Sequence, residues 1–444
     1  MSQPTALPPT TLPQRRGRTL WRFFGRPAAK LFLFLAIVFA VGVVTCELVA
    51  RHYEHAADVA LVPGASSLSE FSRSLRKSDA NETARALEGL AARMGVDLAP
   101  KPMKDRARPD DAAKKGFEAV KQHLKSYLSA ANRRADDLVM ALPSDVKEFL
   151  DQHERVLFEV REALLSAEPP TWEADPAKGW DAPVPNLVGQ LALHQLLLSK
   201  AFRELGRGQD AEALTWVNAS WRLAQDTWER GETISYLIAL SAQRGQLQAL
   251  RIADEVPPEP WQSRFARLDP QKSYVRTVRQ EALGAMTSAR DPKNSDFGDL
   301  VWWLRPYIRA GLAEHAVREQ WVARDLEKLR PCEANPLVIE KIWARPWPWW
   351  NIPGKVAWPS MAGAASRTAH RELDLELSAL VLALKNGAAV PNPYPSRSCP
   401  EQFWTWQRSN SGHLESVEFS YKPHEVYNKE LWELPLRFVS RRQR

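Results

Sequence analysis

The feature that most constrains this chain is an apolar run close to its N-terminus. Residues 31–46, LFLFLAIVFAVGVVTC, carry no charged side chain, and residues 48–50 continue the run after Glu47. A bilayer core about 30 Å thick requires about 20 mostly apolar helical residues. The sequence therefore predicts a transmembrane helix over residues 31–50, with the lipid bilayer as its partner. The side chains expected to contact lipid include Leu31, Phe34, Phe39 and Val44.

The leader that precedes this run, residues 1–30, is strongly basic. It contains six arginine and lysine residues and no acidic residue. Because positively charged flanks stay on the cytoplasmic side of a membrane, we expect a single-pass signal anchor in a bacterial inner membrane. The N-terminus is then cytoplasmic, and the bulk of the chain is periplasmic or extracellular.

Two other fates of the N-terminus stay open at this point. A cleaved signal peptide has a shorter apolar core followed by small residues, and the nearest such site, residues 48–50, matches poorly. Cys46 follows a segment that resembles the box before a lipidated cysteine, although Thr45 stands where Gly, Ala or Ser is usual. We favour the uncleaved anchor, in which Cys46 is a small apolar residue of the membrane helix.

The net charge of +7 does not indicate nucleic-acid binding. The leader and the last eight residues hold ten of the 60 basic residues, so residues 31–436 contain 50 basic and 53 acidic side chains. A body that binds nucleic acid needs an excess of basic side chains to replace phosphate counterions. We therefore expect no nucleic-acid partner.

Composition and hydrophobic spacing divide the rest of the chain into three parts. Residues 51–113 are polar and end in a proline-broken run, which is typical of a stalk or linker. Residues 114–330 carry apolar residues at helical spacing and predict a helical domain. Residues 331–444 hold a tryptophan-rich loop, a long helix and short alternating stretches, and we expect them to pack on the helical domain.

The clearest helical pattern spans residues 186–254. One apolar stripe precedes a glycine-containing turn at residues 206–209, and a second stripe follows it. Two antiparallel helices joined by a short turn cannot bury both stripes alone, so they must pack on neighbouring helices. The turn resembles the mid-repeat turn of a tetratricopeptide unit, although no convincing second copy follows at a period of about 34 residues. The pattern predicts helical-hairpin packing rather than a repeat array.

Four tryptophans cluster in one loop that also contains two prolines. Trp343, Trp347, Trp349 and Trp350 lie within eight residues. Such side chains fill gaps between helices, stack on sugar rings or enter a membrane interface. All three interpretations stay open, and the last two make this loop a candidate ligand-binding or interfacial surface.

The C-terminal part predicts a helix over residues 362–385 and then three short strands. Apolar and polar residues alternate in 403–407, 413–421 and 434–439, which is typical of a small antiparallel sheet. The predicted fold class is therefore mainly α, with an N-terminal transmembrane helix, an extracytoplasmic helical-hairpin domain and a small C-terminal antiparallel β appendage.

Sequence motifs for catalysis and cofactor binding are missing. The chain contains no Gly-rich phosphate loop, no nucleophile elbow and no His-Glu-x-x-His pair. His52 and His55 share a helix face, but the sequence suggests no third metal ligand for them. His153 and His194 interrupt apolar stripes and are interpreted as buried, hydrogen-bonded side chains. We therefore predict no catalytic, cofactor-binding or metal-binding residues.

Cys332 and Cys399 are the two cysteines that lie outside the apolar run, and both sit beside proline in loop-like sequence. An oxidising compartment would permit a disulfide between them. Closure of the intervening loop would stabilise the fold by about 4 kcal/mol in the chain-entropy model. The alternative is a pair of free, buried thiols.

The order of these elements resembles a group of uncharacterised bacterial proteins that are helical and anchored by a single membrane pass. The resemblance covers about residues 20–420. It rests on the basic leader, the membrane helix, the Asn351–Gly354 turn and the Tyr394–Pro395 pair. It implies a cell-envelope location and brings no known activity.

Together these features favour a non-enzymatic role. We expect a membrane-anchored binding or scaffolding module at the bacterial cell envelope, with an envelope protein as its partner. The alternative is an envelope enzyme that acts on glycan or lipid through a tryptophan-lined site. A cleft with two carboxylates beside Trp347 or Trp350 would favour the enzyme.

Overall fold

The structure is a computed structural model that describes most of the chain. The described residues are 20–59, 70–71, 75, 77–100, 105–166, 168–176, 178, 182–254, 256–290, 304–333, 336–343, 346–357, 361–420 and 436–441. Residues 1–19, which form most of the predicted basic leader, lie outside this set.

The described part of the chain is mostly helical. Its helices are α1 (Leu20–Val59), α2 (Glu82–Arg93), α3 (Asp111–Asn132), α4 (Ser144–Gln152), α5 (Glu154–Ser166), α6 (Leu187–Gly206), α7 (Asp210–Arg230), α8 (Thr233–Ile252), α9 (Pro258–Arg267), α10 (Pro270–Arg290), α11 (Arg305–Lys328), α12 (Pro336–Trp343), α13 (Ile352–Ala357) and α14 (Met361–Lys385). Four strands follow: β1 (Tyr394–Pro395), β2 (Phe403–Arg408), β3 (Leu414–Phe419) and β4 (Arg437–Val439). The predicted mainly α fold with a small C-terminal antiparallel sheet is confirmed.

Helix α1 is a single 40-residue helix, and it contains the one stretch of the described residues that is long and apolar enough to cross a membrane. Its mean hydropathy over the best window is 2.6, and none of that window is buried. The predicted transmembrane residues Leu31, Phe34, Phe39 and Val44 are 43–61% exposed. Helix α1 extends beyond this apolar run to Val59. Its last turns pack on the body formed by the later helices.

The segment predicted as a stalk, residues 51–113, is partly packed in the structure. Helix α2 begins after Asn81, whose side-chain oxygen accepts a hydrogen bond from the backbone N–H of Ala84 at 2.9 Å. Leu87 and Met94 are fully buried in the main hydrophobic core. The reason is that α2 has one apolar face, which it buries against α5.

Helices α6, α7 and α8 form consecutive antiparallel hairpins at the centre of the body. The α6–α7 turn passes through Gly208, whose φ of +71° suits glycine, and Gly231 caps α7 with φ of +82°. Leu193, Phe202 and Trp216 lie in the core between these helices. This agrees with the predicted helical-hairpin packing, while the likeness to a tetratricopeptide unit stays a prediction.

Helix α11 runs beside the end of α1 and in the same direction. Arg309, near its start, contacts Glu47 and Glu54 of α1, and Ala316, farther along, packs in one cluster with Ala57. Because a 24-residue helix is about 36 Å long, the far end of α11 lies well away from the apolar segment of α1.

The sheet has strand order β1-β2-β3-β4 and is antiparallel throughout. Trp406 pairs with Val417, and Val417 pairs with Phe438. The buried side of the sheet packs on α14 through a separate core cluster that includes Leu377, Trp404 and Phe438. The sheet therefore lies on the body at the same end as the residues that follow α11.

Candidate functional site

The four clustered tryptophans do not form one platform in the structure. Trp343 packs beside the core cluster of α8, α10 and α14, and Trp347 is partly buried against α11. Trp350 is also partly buried, with its ring centroid 6.2 Å from that of Tyr53 on α1. Trp349, by contrast, is 91% exposed. The structure therefore places three of these side chains against the body and leaves one in the open.

Asn351, one residue after the cluster, fixes this loop to α11. Its Nδ2 donates hydrogen bonds to the Gly311 carbonyl at 3.0 Å and to Glu314 at 2.7 Å. Its Oδ1 accepts from the backbone N–H of Gly354 at 2.8 Å. Asn351 is 1% exposed, so these bonds satisfy a side chain that would otherwise be costly to bury.

Close approach of the loop to α11 depends on Gly311. A Cβ atom at this position would lie 2.6 Å from Asn351 Oδ1 and 3.1 Å from Pro353 Cβ. Gly354 has equally little room, with Asn351 Nδ2 2.5 Å from the position of its missing Cβ. The Asn351–Gly354 turn therefore lies so close to α11 that only small residues fit at positions 311 and 354. We call this contact between the turn and α11 the Asn351 latch.

Charged side chains of α11 hold Trp347. The Arg318 guanidinium lies 4.1 Å from the Trp347 ring centroid and donates to the Pro346 carbonyl at 3.0 Å. Arg318 also pairs with Glu314, and the His315 ring stacks on Trp347 at 6.4 Å. The loop is thus attached through a cation–π contact and hydrogen bonds rather than through apolar contact alone.

The carboxylates that pair with Arg318 and His315, the two α11 side chains in contact with Trp347, are buried. Glu314 is 3% exposed and bonded to Arg318 and Asn351, and Glu319 is 1% exposed beside His315 at 3.2 Å. Burial alone would disfavour a protonated imidazole, but the Glu319 carboxylate raises the pKa of His315 above its ordinary value. These groups are held inside the body, so they do not offer a substrate the pair of carboxylates that glycoside cleavage uses.

Of the four other histidines considered in the sequence, two lie on the surface and two have polar atoms of the protein within hydrogen-bond distance. His52 and His55 are exposed on α1. His153 Nδ1 lies 2.9 Å from the Phe149 carbonyl, and His194 Nδ1 lies 3.0 Å from Ser220 Oγ. Complete burial lowers the pKa of His194 to about 3, so its ring is neutral at ordinary pH. Among the described residues, His, Cys, Asp and Glu side chains form no group of three or more able to hold a metal ion.

Cys332 and Cys399 are joined as a disulfide, with Cα atoms 6.0 Å apart. Cys332 lies in the short 3-10 turn Pro331–Glu333 after α11, and Cys399 lies in the loop before β2. Cys399 is 1% exposed and belongs to the core cluster beneath the sheet. The bond therefore ties the sheet to the end of α11.

A groove of about 210 Å³ lies between the loop before α6 and the start of α8. Val184, Leu187 and Ile234 supply apolar walls, and three acidic residues also line the groove: Asp175, Glu232 and Glu281. Ile234 is 62% exposed. A second, more polar groove of about 340 Å³ lies between α3 and the start of α6 and is lined by charged residues such as Arg108 and Lys121.

Comparison of the chain with protein-family models, with curated proteins and with solved structures finds no match. Its function is therefore inferred from its own residues.

Two features of the loop are not apparent from sequence reasoning. One is the latch through Asn351, for which the Asn-x-x-Gly pattern is the only local signal. The other is the contact between Trp350 and Tyr53, which are almost 300 residues apart in the chain. The first depends on how the loop packs on α11, and the second depends on how it packs on α1.

Proposed function

We propose that this protein is a single-pass membrane protein whose helical body is a binding or scaffolding module at the bacterial cell envelope. The observation that carries the proposal is the continuity of α1. One unbroken helix joins the exposed apolar residues 31–44 to the packed residues 53–57. A body attached in this way is held at a fixed height and orientation above a bilayer, as a scaffold requires.

Ion pairs support this rigid attachment. Arg309 of α11 lies 3.1 Å from Glu47 and 2.7 Å from Glu54, and Arg290 of α10 lies 2.6 Å from Asp58. These contacts occur on both sides of the point where the apolar segment ends. They oppose rotation of α1 relative to the body, because three carboxylates on one helix would have to lose their partners together.

The membrane orientation follows from the positive-inside rule. The six basic residues of the leader favour a cytoplasmic N-terminus, which leaves the body on the opposite side of an inner membrane. Alkaline phosphatase fused to the C-terminus tests this orientation, since it is active only outside the cytoplasm. Activity of the fusion is the expected result, and an inactive but stably expressed fusion would contradict it.

The groove beside Ile234 is the surface that we propose for a partner protein. Its apolar walls and its three acidic side chains suit a partner segment that presents an apolar side chain next to a basic one. The alternative enzymatic role has less support, because the carboxylates of Glu314 and Glu319, which pair with the side chains that contact Trp347, are buried.

Site-specific photo-cross-linking in cells tests the scaffold proposal. A photoreactive amino acid replaces Ile234 in the groove, and the matched control replaces Phe158, which is 49% exposed on α5 and does not line this groove. A discrete adduct with one envelope protein from position 234 alone is expected. Equal labelling from both positions, or adducts with lipid only, would contradict the proposal.

A further inference from the structure

Three exposed apolar side chains of the body lie close together in sequence, in the segment whose Trp350 contacts α1. Among the described residues outside α1, eight large apolar side chains are exposed, and three of them are Trp349, Ile352 and Val356. Their exposures are 91%, 63% and 80%. We call these three residues, together with the exposed Lys355 between them, the Trp349 face. A clustered, exposed apolar surface of this kind is typical of a binding site.

The Trp349 face is exposed although the residues around it are tightly held. Asn351, between Trp349 and Ile352, is almost completely buried and makes three hydrogen bonds. Trp347 is fixed by Arg318. The neighbouring backbone is therefore pinned to α11, and the exposure of Trp349 is a fixed feature of the fold.

The height of the Trp349 face relative to α1 indicates which part of the bilayer it contacts. Trp350 contacts Tyr53, which lies three residues beyond Ala50, where the apolar segment ends. At 1.5 Å per helical residue, this displacement is about 5 Å along the axis. The polar layer between hydrocarbon and water is about 5–8 Å thick on each side of a bilayer. The Trp349 face therefore lies at the height of the lipid headgroups.

The chemistry of the face matches that position. Tryptophan prefers the membrane interface, where its ring is buried among headgroups and its N–H finds a polar partner. Lys355 is exposed within the face. Basic side chains at this height attract anionic headgroups.

We propose that the Trp349 face inserts into the headgroup layer of the same bilayer that α1 spans. The body then has two attachments to the membrane, one through α1 and one through this face, and together they fix its tilt and its rotation. This inference rests on the proposed membrane span of α1, and it adds a second lipid-binding surface that does not itself cross the membrane.

Spin labels placed on the full-length chain test the proposal in vesicles of phosphatidylethanolamine and phosphatidylglycerol. In a Cys46→Ala background, the labelled variants are Ile352→Cys and Val356→Cys, which keep Trp349 in place. Phe403→Cys is the matched control, because Phe403 is 43% exposed on the sheet at the far end of α11. Phe34→Cys reports the membrane span. Collision with oxygen, which concentrates in lipid, is compared with collision with a water-soluble nickel chelate.

The expected ratio of oxygen to nickel collision is highest at position 34, intermediate at 352 and 356, and lowest at 403. Ratios at 352 and 356 equal to that at 403, with a high ratio at 34, would overturn the second attachment and leave the span intact. A low ratio at 34 would overturn the span and with it this inference. Labels at 352 and 356 shielded from both reagents would mean that a protein surface, such as a second copy, covers the face.

A charge variant adds an independent readout. Lys355→Glu is expected to lower the oxygen-to-nickel ratio at 352 in vesicles that contain phosphatidylglycerol and to change it less in vesicles of phosphatidylcholine alone. Lys114→Glu on α3, where Lys114 is exposed and lines the polar groove, is the matched control and should leave the ratio unchanged. An equal effect of both variants would contradict a direct contact between Lys355 and the headgroups.

Discussion

Arg309 of α11 donates to Glu54 of α1, with Nη2 2.7 Å from Oε2. The same guanidinium reaches Glu47, two turns earlier on α1. One side chain thus spans the region where the exposed apolar segment becomes a packed helix. This pairing explains why α1 continues as a helix to Val59 instead of loosening into a flexible stalk.

Replacement of Arg309 by Gln should loosen the end of α1. The variant leaves the nearly buried Glu54 carboxylate without its cation, which costs about 1–3 kcal/mol for hydrogen bonds to a charged group. Backbone amide exchange over residues 51–59, measured in vesicles, should become faster. Arg51→Gln is the control, because Arg51 makes a mostly exposed ion pair with Glu47 that is worth little. Unchanged exchange in the Arg309 variant would show that the ion pairs do not hold α1.

Replacement of Asn351 by Ala should release the tryptophan loop from α11. The change removes three hydrogen bonds and leaves the Gly311 carbonyl and the Gly354 N–H without this partner, at a cost of about 2–3 kcal/mol. Amide exchange over residues 346–357 should increase, while exchange in α6 and α7 stays the same. Ile352→Ala, which shortens an exposed neighbour, is expected to leave the loop protected.

Two glycine-to-alanine variants should have opposite effects. Gly311→Ala places a Cβ atom 2.6 Å from Asn351 Oδ1, so the latch must move and stability should fall. Gly116→Ala, in α3, adds a Cβ with nothing within 4 Å and should stabilise the fold by about 0.5–1 kcal/mol through helix propensity. Thermal unfolding followed by near-ultraviolet circular dichroism distinguishes the two. Equal midpoints would contradict the steric account of Gly311.

Loss of the disulfide should destabilise the C-terminal sheet. The double variant Cys332→Ser/Cys399→Ser removes a bond between residues 67 positions apart, worth about 4 kcal/mol in the chain-entropy model. Denaturant unfolding of the full chain in detergent measures the loss, and limited proteolysis reports whether residues 394–419 open first. If non-reduced wild-type protein reacts with a thiol reagent at three cysteines instead of Cys46 alone, the bond is absent in solution.

His194 should make the fold sensitive to acid. Burial lowers its pKa from 6.5 to about 3, so between these pH values the unfolded chain binds a proton that the folded chain does not. The free energy of unfolding should therefore fall as the pH is lowered through this range, by up to about 5 kcal/mol from this residue. His194→Gln should reduce the slope below pH 6.5, measured by chemical unfolding at several pH values. An identical slope in both proteins would show that His194 is not the source.

Much of the fold could be predicted because its signals are local. The apolar run around Phe34 predicts a membrane-spanning helix whatever the rest of the chain does, since length and hydropathy suffice. Helix α2 begins one residue after Asn81, a residue type that caps helix starts. Residues 51–113 nevertheless differ from the predicted stalk, because the partners that bury α1 and α2 come from distant parts of the sequence.

The environments of the four tryptophan side chains could not be predicted from the sequence of the loop alone. Its sequence leaves core packing, sugar binding and interfacial contact open for all four side chains. The structure separates them, with Trp347 under Arg318 and Trp349 in the open, because the Asn351 latch fixes which way each ring points. No spacing within the loop carries that information.

The sequence by itself determined the length of the apolar segment, the helical character of the body and the alternation of the C-terminal strands. Each of these depends only on the type and spacing of residues that are close together in the chain. Only the tertiary structure decided which charges meet, such as Arg309 with Glu54 or Arg251 with Asp374 at 2.5 Å inside the body. The physical reason is that a charge taken out of water must find a partner. Which partner it finds is set by the packing of helices that lie more than 100 residues apart in the chain.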